Sequence, residues 1–406
     1  MILRDSAAPR GRDAIMNDEI NVHRPLSRHL SRRQWLRLAG TGAAVALSGC
    51  AAGPWFSSPG YRRPFSSQPF TRPVIAPSLI TRTAVGLRPF RPSGFVVRGE
   101  RMGDKVVIHN YGHGGGGITL SWGSSTLAVR EAPDTADRRA AVLGCGVMGL
   151  STARLLQARG WQVTIYAKDL PPNTTSNIAG GYWAPTGVFQ RDRETPAFAA
   201  QFTEALRISF ESFSALVGPT HGVSWRENYY LSETPRSAQD YLYLDRWPAL
   251  FPGIEALGPG EHPFLPPYAL RHQALLIEPS IYLPRLMQEF SEAGGVIVTR
   301  EFQALAEVLS QPEPVIFNCT GLGARTLFAD DELTPVRGQL VFMPADERVD
   351  YLTHGSGQGL LYMFPRADGI LLGGTYERGA THLEPDAETT ERIVREHARM
   401  FAGMRI

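Results

Sequence analysis

Ala140-Ala141-Val142-Leu143-Gly144-Cys145-Gly146-Val147-Met148-Gly149 is a short apolar run followed by three glycines in the spacing Gly-x-Gly-x-x-Gly. The run predicts a buried strand, and the glycines predict a tight turn into a helix. Gly144 permits the turn, Gly146 admits a pyrophosphate, and Gly149 lets helix and strand pack closely. With Asp169 further along the chain, the stretch predicts a βαβ unit that binds a dinucleotide at the helix N-terminus.

The surrounding sequence predicts the rest of this unit and several further elements. Residues 162–166 are typical of the second strand, and Gly160 of the end of the helix. Thr195 followed by Pro196 predicts the start of a long helix that reaches about residue 217. The other predicted elements are a hairpin over 95–108, a helix over 118–129, strands near 273–278, 295–299 and 314–317, and helices over 281–293 and 387–401.

The composition is that of an ordinary globular protein, with 406 residues, 43% hydrophobic and 20% charged. This length predicts two domains or one large one. A net charge of +2 does not indicate nucleic-acid binding. Three cysteines are too few for a disulfide framework, and no metal site is predicted.

The N-terminal residues predict export. Ser31-Arg32-Arg33-Gln34-Trp35-Leu36 resembles a twin-arginine motif, and the apolar run over 38–48 is too short to span a membrane. Leu47-Ser48-Gly49-Cys50 resembles a bacterial lipobox, so Cys50 is a candidate lipid anchor, with a plain cleaved signal as the alternative. We therefore expect export by the twin-arginine machinery to the periplasm or cell envelope.

Five stretches, taken together, resemble the D-amino-acid oxidase family of FAD enzymes. They are 86–92 (Gly-Leu-Arg-Pro-Phe-Arg-Pro), 109–123 (beginning His-Asn-Tyr-Gly-His-Gly-Gly), 168–185, 318–321 (Asn-Cys-Thr-Gly) and 337–339 (Arg-Gly-Gln). The resemblance covers the chain from about residue 79 to the end. It implies an α+β fold, in which a Rossmann-like FAD domain joins a mixed β-sheet substrate domain.

The order of these stretches differs from the order in that family. There the fingerprint opens the protein and the His-Asn-Tyr-Gly-His-Gly-Gly run nearly closes it, whereas here the run comes first. We interpret the order as a circular permutation, with the polar segment 131–139 joining the old ends. Permutation needs neighbouring termini, so residues near 80 are expected to lie close to residue 406.

The predicted organisation follows from the signal, the resemblance and the permutation. In chain order it comprises an export signal with lipobox (1–50), a disordered linker (51–78), a permuted segment with the carboxylate-binding strand and the flavin glycine loop and helix (79–130), a connector (131–139), an FAD-binding βαβ unit (140–190), a mixed substrate and FAD region (191–300), an FAD-binding segment (301–330) and a substrate domain (331–406).

The resemblance assigns FAD-binding residues position by position. Where some family members have an acid for the adenine ribose, this chain has Lys168, so either Asp169 or the backbone makes that contact. The helix that begins near Ile118 is expected to point its positive end at the flavin. The predicted cofactor residues are Gly144, Gly146, Val147, Met148, Gly149, Ser151, Lys168, Asp169, Thr174, Thr175, Ser176, Gly180, Gly181, Thr320, Gly114, Gly115, Gly116, Gly117, Ile118 and Thr119.

Substrate recognition is assigned to Arg88, Tyr362 and Gly115. By the resemblance, Arg88 forms a fork to the α-carboxylate of the substrate, since a guanidinium offers a planar two-point fit, and the Tyr362 hydroxyl shares that carboxylate. Gln358 replaces a second family tyrosine, and Gly116 replaces another. Tyr229 and Tyr230 are candidates to fill the gap, although packing roles fit them better.

The activity that the resemblance implies is oxidative deamination of D-amino acids, by hydride transfer to FAD and reoxidation by O2. No general base is needed, and His109 and His113 are read as structural hydrogen-bonding residues near the flavin. Three alternatives stay open: an amino-acid or amine dehydrogenase that reduces a quinone, an oxidase that prefers D-aspartate, and an inactive flavin-fold binding protein. The oligomeric state is left open.

Overall fold

The structure is a computed structural model that describes residues 70–355 and 360–405. The predicted export signal, Cys50, the first part of the linker and Gln358 lie outside the described residues. The described chain forms two β-sheets with helices packed around them, which confirms the α+β prediction. No helix in these two ranges is both long and apolar enough to cross a membrane.

The strands are numbered in chain order. They are β1 (Arg82–Phe90), β2 (Val96–Met102), β3 (Lys105–Tyr111), β4 (Arg139–Leu143), β5 (Gln162–Ala167), β6 (Val223–Ser232), β7 (Glu255–Leu257), β8 (Tyr268–Ile277), β9 (Val296–Thr299), β10 (Val315–Asn318), β11 (Thr334–Met343), β12 (Tyr351–His354), β13 (Tyr362–Arg366), β14 (Gly369–Gly373) and β15 (Glu377–Arg378).

The helices match the predicted ones and add three short helices. They are α1 (Gly117–Arg130), α2 (Val147–Gln157), α3 (Pro196–Ala215), α4 (Leu242–Arg246), α5 (Pro279–Glu292), α6 (Leu305–Leu309), α7 (Gly323–Leu327) and α8 (Ala387–Ala402). Thr195 caps α3 as predicted, because its side chain accepts a hydrogen bond from the Phe198 amide at 3.2 Å.

The first sheet carries the fingerprint. Its strand order is β2-β3-β10-β4-β5-β9, parallel from β3 to β9, with β2 antiparallel at the edge. In β4, Ala140 to Leu143 are buried, as a strand covered on both faces requires. The carboxyl ends of the parallel strands share one edge, and the fingerprint follows β4 at that edge.

The second sheet has the order β1-β11-β14-β13-β12-β6-β8-β7, and β15 also pairs with β11. Neighbouring strands are antiparallel except for β6 and β12, which are parallel. The segment 79–130 contributes to both sheets, since β1 joins the second sheet while β2 and β3 join the first. Within that segment, the glycine run follows β3 of the first sheet.

The two ends of the described chain lie together. The Arg72 guanidinium donates to the Met404 carbonyl oxygen at 2.5 Å, and Leu79 and Ile80 pack against the apolar cluster that contains Phe401 and Met404. The segment 131–139 is largely exposed, as a connector should be. This geometry is the one that a circular permutation requires.

The linker differs from the prediction in its last residues. Phe70 makes edge-on contacts with the rings of Tyr229, Phe264 and Tyr351, at centroid distances of 5.7, 5.6 and 5.1 Å. The Thr71 carbonyl oxygen accepts a hydrogen bond from the Tyr351 hydroxyl at 2.9 Å. These ring contacts and the hydrogen bond hold the last residues of the predicted linker against the other aromatic side chains. Residues 70–78 therefore belong to the folded body.

Candidate functional site

A cavity of about 2440 Å³ lies between the two sheets. It runs from the fingerprint and the ends of β5 and β10, past the glycine run, to Arg88 and Tyr362. Pockets for drug-sized ligands occupy roughly 300–1,000 Å³, so this cavity has room for a dinucleotide and a substrate together. It therefore brings together motifs that lie far apart in the sequence.

At the fingerprint end, the glycines have the steric roles predicted for them. Gly144 has a φ of +102°, which disfavours residues with a Cβ. A Cβ at Gly149 would lie 1.9 Å from the Gly144 carbonyl oxygen. The Val147 amide at the start of α2 donates to Ser176 Oγ at 3.0 Å, so Ser176 joins the loop over 174–181 to the helix N-terminus.

Most of the predicted cofactor residues line the cavity, but Gly116, Gly149 and Ser151 do not. Gly149 and Gly116 act by allowing close packing; a Cβ at Gly116 would lie 2.6 Å from a methyl carbon of Val188. Ser151 is a correction to the prediction, because its hydroxyl is fully buried on the side of α2 that faces Tyr282 of α5. Helix packing buries Ser151 away from the cavity.

The end of the cavity near Lys168 contains a carboxylate that the sequence did not identify. Lys168 follows β5, Glu301 follows β9, and their side chains pair at 3.4 Å. Both residues line the cavity, as do Asp169 and Thr320. Sheet order, which places β9 beside β5, brings Glu301 to Lys168, and only a correct prediction of that order would have revealed it.

The glycine run bends into a 3₁₀ turn over 114–116 before α1 begins. The Gly115 amide donates to the Gly187 carbonyl oxygen at 3.0 Å, and the Gly116 amide donates to the His113 carbonyl oxygen at 2.9 Å. These two N–H groups are therefore already satisfied within the protein. Gly117, Ile118 and Thr119 line the cavity beside Gly114 and Gly115, so the positive end of α1 faces it.

Arg88 and Tyr362 meet at the other end of the cavity. The guanidinium lies over Gly338, where a Cβ would come within 2.3 Å of Nη1, and that nitrogen lies 3.4 Å from the Thr375 carbonyl oxygen. Burial raises the pKa of the Tyr362 hydroxyl, and hydrogen bonding to Arg88 opposes that rise. Tyr362 is therefore a protonated donor beside a fixed cation, which is a suitable pair of groups for a carboxylate.

The two histidines of the glycine run differ in role. His109 lies 2.6 Å from Glu100 Oε1 through Nε2 and 3.0 Å from the Asn318 amide nitrogen through Nδ1, so its structural hydrogen-bonding role holds. His113 instead stacks on Phe95 at 4.8 Å, and its Nε2 has no hydrogen-bond partner in the described ranges. Burial lowers the pKa of His113 to about 3, so it is neutral.

Buried neutral histidines make folding stability depend on pH. Burial lowers the pKa of His113 and His354 to about 3 and of His272 and His397 to about 4. The unfolded chain, with a histidine pKa of about 6.5, binds more protons below that pH, so stability is complete above about pH 6.5 and falls as the pH drops.

We expect urea unfolding to give a lower free energy of unfolding at about pH 5.5 than at about pH 7.5, by roughly 1 kcal/mol for each of these histidines. The His113→Gln variant serves as a comparison, because it removes a buried neutral ring and should show a smaller pH dependence. Equal stability at the two pH values would contradict this neutral, buried state.

The residues present fit FAD. Because Gly144 and Gly149 have no Cβ, the glycine turn packs tightly against the start of α2 and its backbone stays open to a phosphate. The N-terminus of α2 faces the same space. Thr174, Thr175, Gly180 and Gly181 line the cavity, as do the residues at the positive end of α1 and the pair Arg88 and Tyr362. This arrangement matches a dinucleotide whose redox-active ring lies beside the substrate.

Comparisons with known proteins agree with this geometry. The family profile described as FAD dependent oxidoreductase (DAO) matches residues 139–405. A D-amino-acid oxidase from Streptomyces coelicolor is 34% identical over 282 residues, which cover 68% of this chain and 82% of the relative. Human D-aspartate oxidase is 31% identical over 267 residues, covering 64% and 74%.

A solved structure supports the fold. Glycine oxidase from Geobacillus kaustophilus superposes with a TM-score of 0.51 at 18% identity, covering 65% of this chain and 78% of that chain. At this identity the likeness concerns the fold alone, and it agrees with the two-sheet architecture. From its matched profile and its curated relatives, the chain belongs to the DAO family of FAD-dependent oxidoreductases.

Proposed function

We propose that this protein oxidises D-amino acids to 2-oxo acids, ammonia and hydrogen peroxide. The observation that carries the proposal is the pairing of Arg88 with Tyr362 at the end of the cavity that α1 also faces. The relatives named D-amino-acid oxidase, 34% identical over most of their length, support the same activity.

The chain's own residues act by binding and orientation. Arg88 holds the substrate carboxylate as a bidentate partner, and the Tyr362 hydroxyl donates a further hydrogen bond to it. Two fixed donors define the position of the carboxylate and so place Cα over the flavin end of the cavity. FAD, when bound, supplies the acceptor for the hydrogen and electron pair that leave Cα.

No side chain of the glycine run is suited to act as a base. His113 is neutral but packed flat against Phe95, and both ring nitrogens of His109 are in hydrogen bonds. The proposed reaction needs no such group, since the nitrogen lone pair forms the C=N bond of an imino acid as hydride leaves Cα, and water then hydrolyses that imino acid to the oxo acid and ammonia. The protein contributes geometry and electrostatics to the step.

The electron acceptor distinguishes oxidase from dehydrogenase. We expect FAD-loaded protein in air to form one hydrogen peroxide for each D-amino acid consumed, as read by a peroxidase-coupled assay. The control is the same reaction with a quinone-type dye under nitrogen. Turnover with the dye but no peroxide in air would favour the dehydrogenase alternative. Because human D-aspartate oxidase is 31% identical to this chain, acidic D-amino acids are included among the substrates that are assayed.

Export to the periplasm or cell envelope, with a lipid on Cys50, is proposed from the sequence motifs alone. Export of a folded, FAD-loaded protein by the twin-arginine route fits a cofactor acquired before transport. Membrane fractionation of the wild type and of Cys50→Ser tests the anchor. Equal membrane association of both forms would contradict it.

A further inference from the structure

A buried arginine joins the second sheet to a loop of the cavity wall. Arg366 is the last residue of β13, the strand that begins with Tyr362, and its side chain is fully buried. The guanidinium donates from Nε and Nη2 to the two Asp368 oxygens at 2.8 and 2.7 Å, and from Nη1 to the Ala179 carbonyl oxygen at 2.8 Å. Ala179 belongs to the loop over 174–181 that lines the cavity, which we call the cofactor loop.

The charge of this arginine is balanced by a carboxylate that a second arginine shares. A buried guanidinium needs an acidic partner, because an unpaired charge is costly to bury. Asp368 fills that role, and it also accepts a hydrogen bond from Arg82, whose side chain is about half exposed. The guanidinium carbon of Arg82 lies 3.8 Å from the centre of the Phe342 ring. Within the described residues, only Arg366 of the two arginines bonds to the cofactor loop.

The contact at Ala179 fixes the direction of the next amide in the loop. In a trans peptide, the C=O and the N–H that follows it point in opposite directions. Because the Ala179 oxygen is turned toward Arg366, the Gly180 N–H points away from that side chain. This N–H has no hydrogen-bond acceptor in the part of the chain that the structure describes, and Gly180 lines the cavity. The Arg366 contact therefore leaves a backbone donor for a bound group.

Gly180 lies beside the residue that binds the substrate carboxylate. A Cβ at Gly180 would lie 2.9 Å from a ring carbon of Phe364 and 3.9 Å from a ring carbon of Tyr362. All three residues line the cavity. Since the redox-active ring of FAD is expected next to the substrate, the Gly180 N–H is at the flavin end of the cofactor and not at its adenosine end.

The cofactor loop is held on both sides of Gly180. On the far side, the Ile277 amide of β8 donates to the Gly181 carbonyl oxygen at 2.8 Å. A Cβ at Gly181 would lie 2.0 Å from the Ile277 carbonyl oxygen, so the loop and the strand are in close contact. A charged donor at the Ala179 carbonyl also strengthens the N–H of the same peptide, because linked hydrogen bonds polarise one another. The amide is therefore both fixed and polarised.

We propose that Arg366, held by Asp368, is a positioning residue that turns the Gly180 N–H toward the bound flavin ring and strengthens it as a donor. Reduced flavin carries more negative charge than oxidised flavin, so a donor at the ring stabilises the reduced form and raises the reduction potential. The inference concerns the cofactor, and it holds whichever substrate the enzyme oxidises.

The test compares Arg366→Leu with Arg82→Leu. Each variant removes one of the two arginines that share Asp368 and leaves the other to balance its charge, but only Arg366→Leu releases the Ala179 carbonyl. Fluorescence titration of apoprotein with FAD should show a dissociation constant about tenfold higher in Arg366→Leu, and within about twofold of the wild type in Arg82→Leu. The reduction potential of the bound flavin, measured anaerobically against a reference dye, should become more negative in Arg366→Leu alone.

A conservative pair separates positioning from folding. Arg366→Lys keeps the charge, but an ammonium lacks the planar fork that bonds Asp368 and Ala179 together, so affinity and potential should fall between those of the wild type and Arg366→Leu. Where Arg366→Leu does not fold, as judged by circular dichroism, Arg366→Lys is compared with Arg82→Lys. An unchanged affinity and potential in the folded Arg366 variants, or equal changes in the matched Arg82 variants, would overturn the proposal.

Discussion

The Arg88→Leu variant is expected to lose roughly 10²–10⁴-fold in kcat/KM for D-amino acids, since removing one partner of a buried, hydrogen-bonded charge pair costs about 3–5 kcal/mol. The loss should appear mainly in KM, because the guanidinium holds the carboxylate throughout the reaction. Arg88→Lys should recover part of the loss, since an ammonium keeps the charge but not the two-point geometry. Steady-state kinetics at saturating O2 measures both effects.

The control for Arg88 is Arg101→Leu, which removes an exposed arginine from the β2 edge, away from the cavity. It should leave kcat/KM within about twofold of the wild type, in keeping with the small effects of surface substitutions. FAD affinity should be unchanged in every one of these variants. A loss of less than tenfold in Arg88→Leu would show that another group binds the carboxylate.

Gly149→Val is expected to abolish tight FAD binding. The new Cβ would lie 1.9 Å from the Gly144 carbonyl oxygen, which is backbone and cannot rotate away. Either α2 moves off β4 or the glycine turn opens, and either change displaces the helix N-terminus that would hold the pyrophosphate of FAD. Overpacking of about 3 kcal/mol corresponds to roughly a hundredfold in the FAD dissociation constant. Fluorescence titration of apoprotein with FAD measures it.

Gly103→Ala is the matched control, because this turn glycine has a φ of +62° but no atom within 4 Å of a new Cβ. It should lower the melting temperature slightly, through the backbone strain of about 1 kcal/mol, without changing FAD affinity. Normal FAD binding by Gly149→Val, with a stable fold, would contradict the proposed position of the pyrophosphate.

The parts of the fold that depend on local sequence were predictable. The βαβ unit follows from an apolar strand and a spaced set of glycines, and α3 begins at Thr195 because a threonine cap and a proline lie next to each other. Arg88 and Tyr362 were identified by resemblance, and the structure places them together.

The features that depend on long-range packing were missed or misassigned. Ser151 was assigned to the cofactor, but the packing of α5 on α2 decides which face of α2 is buried. Glu301 reaches Lys168 at the edge of the cavity only because β9 lies beside β5. Tyr230, His354 and Tyr362 lie side by side only because of the register of β6, β12 and β13. These three residues are not adjacent in the sequence.

We propose that the motif order reflects a circular permutation. The family profile matches from residue 139 onward, while the Arg88 motif and the glycine run precede that match. Residues 79 and 80 share an apolar cluster with Phe401 and Met404. A chain reordered by joining residue 405 to residue 79 and opening the 131–139 segment should bind FAD with unchanged affinity. A second reordered chain with a lengthened connector serves as the control. Failure of both chains to fold would contradict the proposal.

The central claim is that this cavity holds FAD beside a D-amino acid, and anaerobic reduction of the bound flavin tests it most directly. FAD-loaded protein is mixed under nitrogen with D-phenylalanine, D-alanine or D-aspartate, and separately with the L-enantiomers. We predict that D-phenylalanine bleaches the flavin fully, that the L-enantiomers leave it oxidised, and that Arg88→Leu slows the bleaching in proportion to its loss of kcat/KM. A flavin that stays oxidised with every D-amino acid, while dithionite still reduces it, would contradict the account.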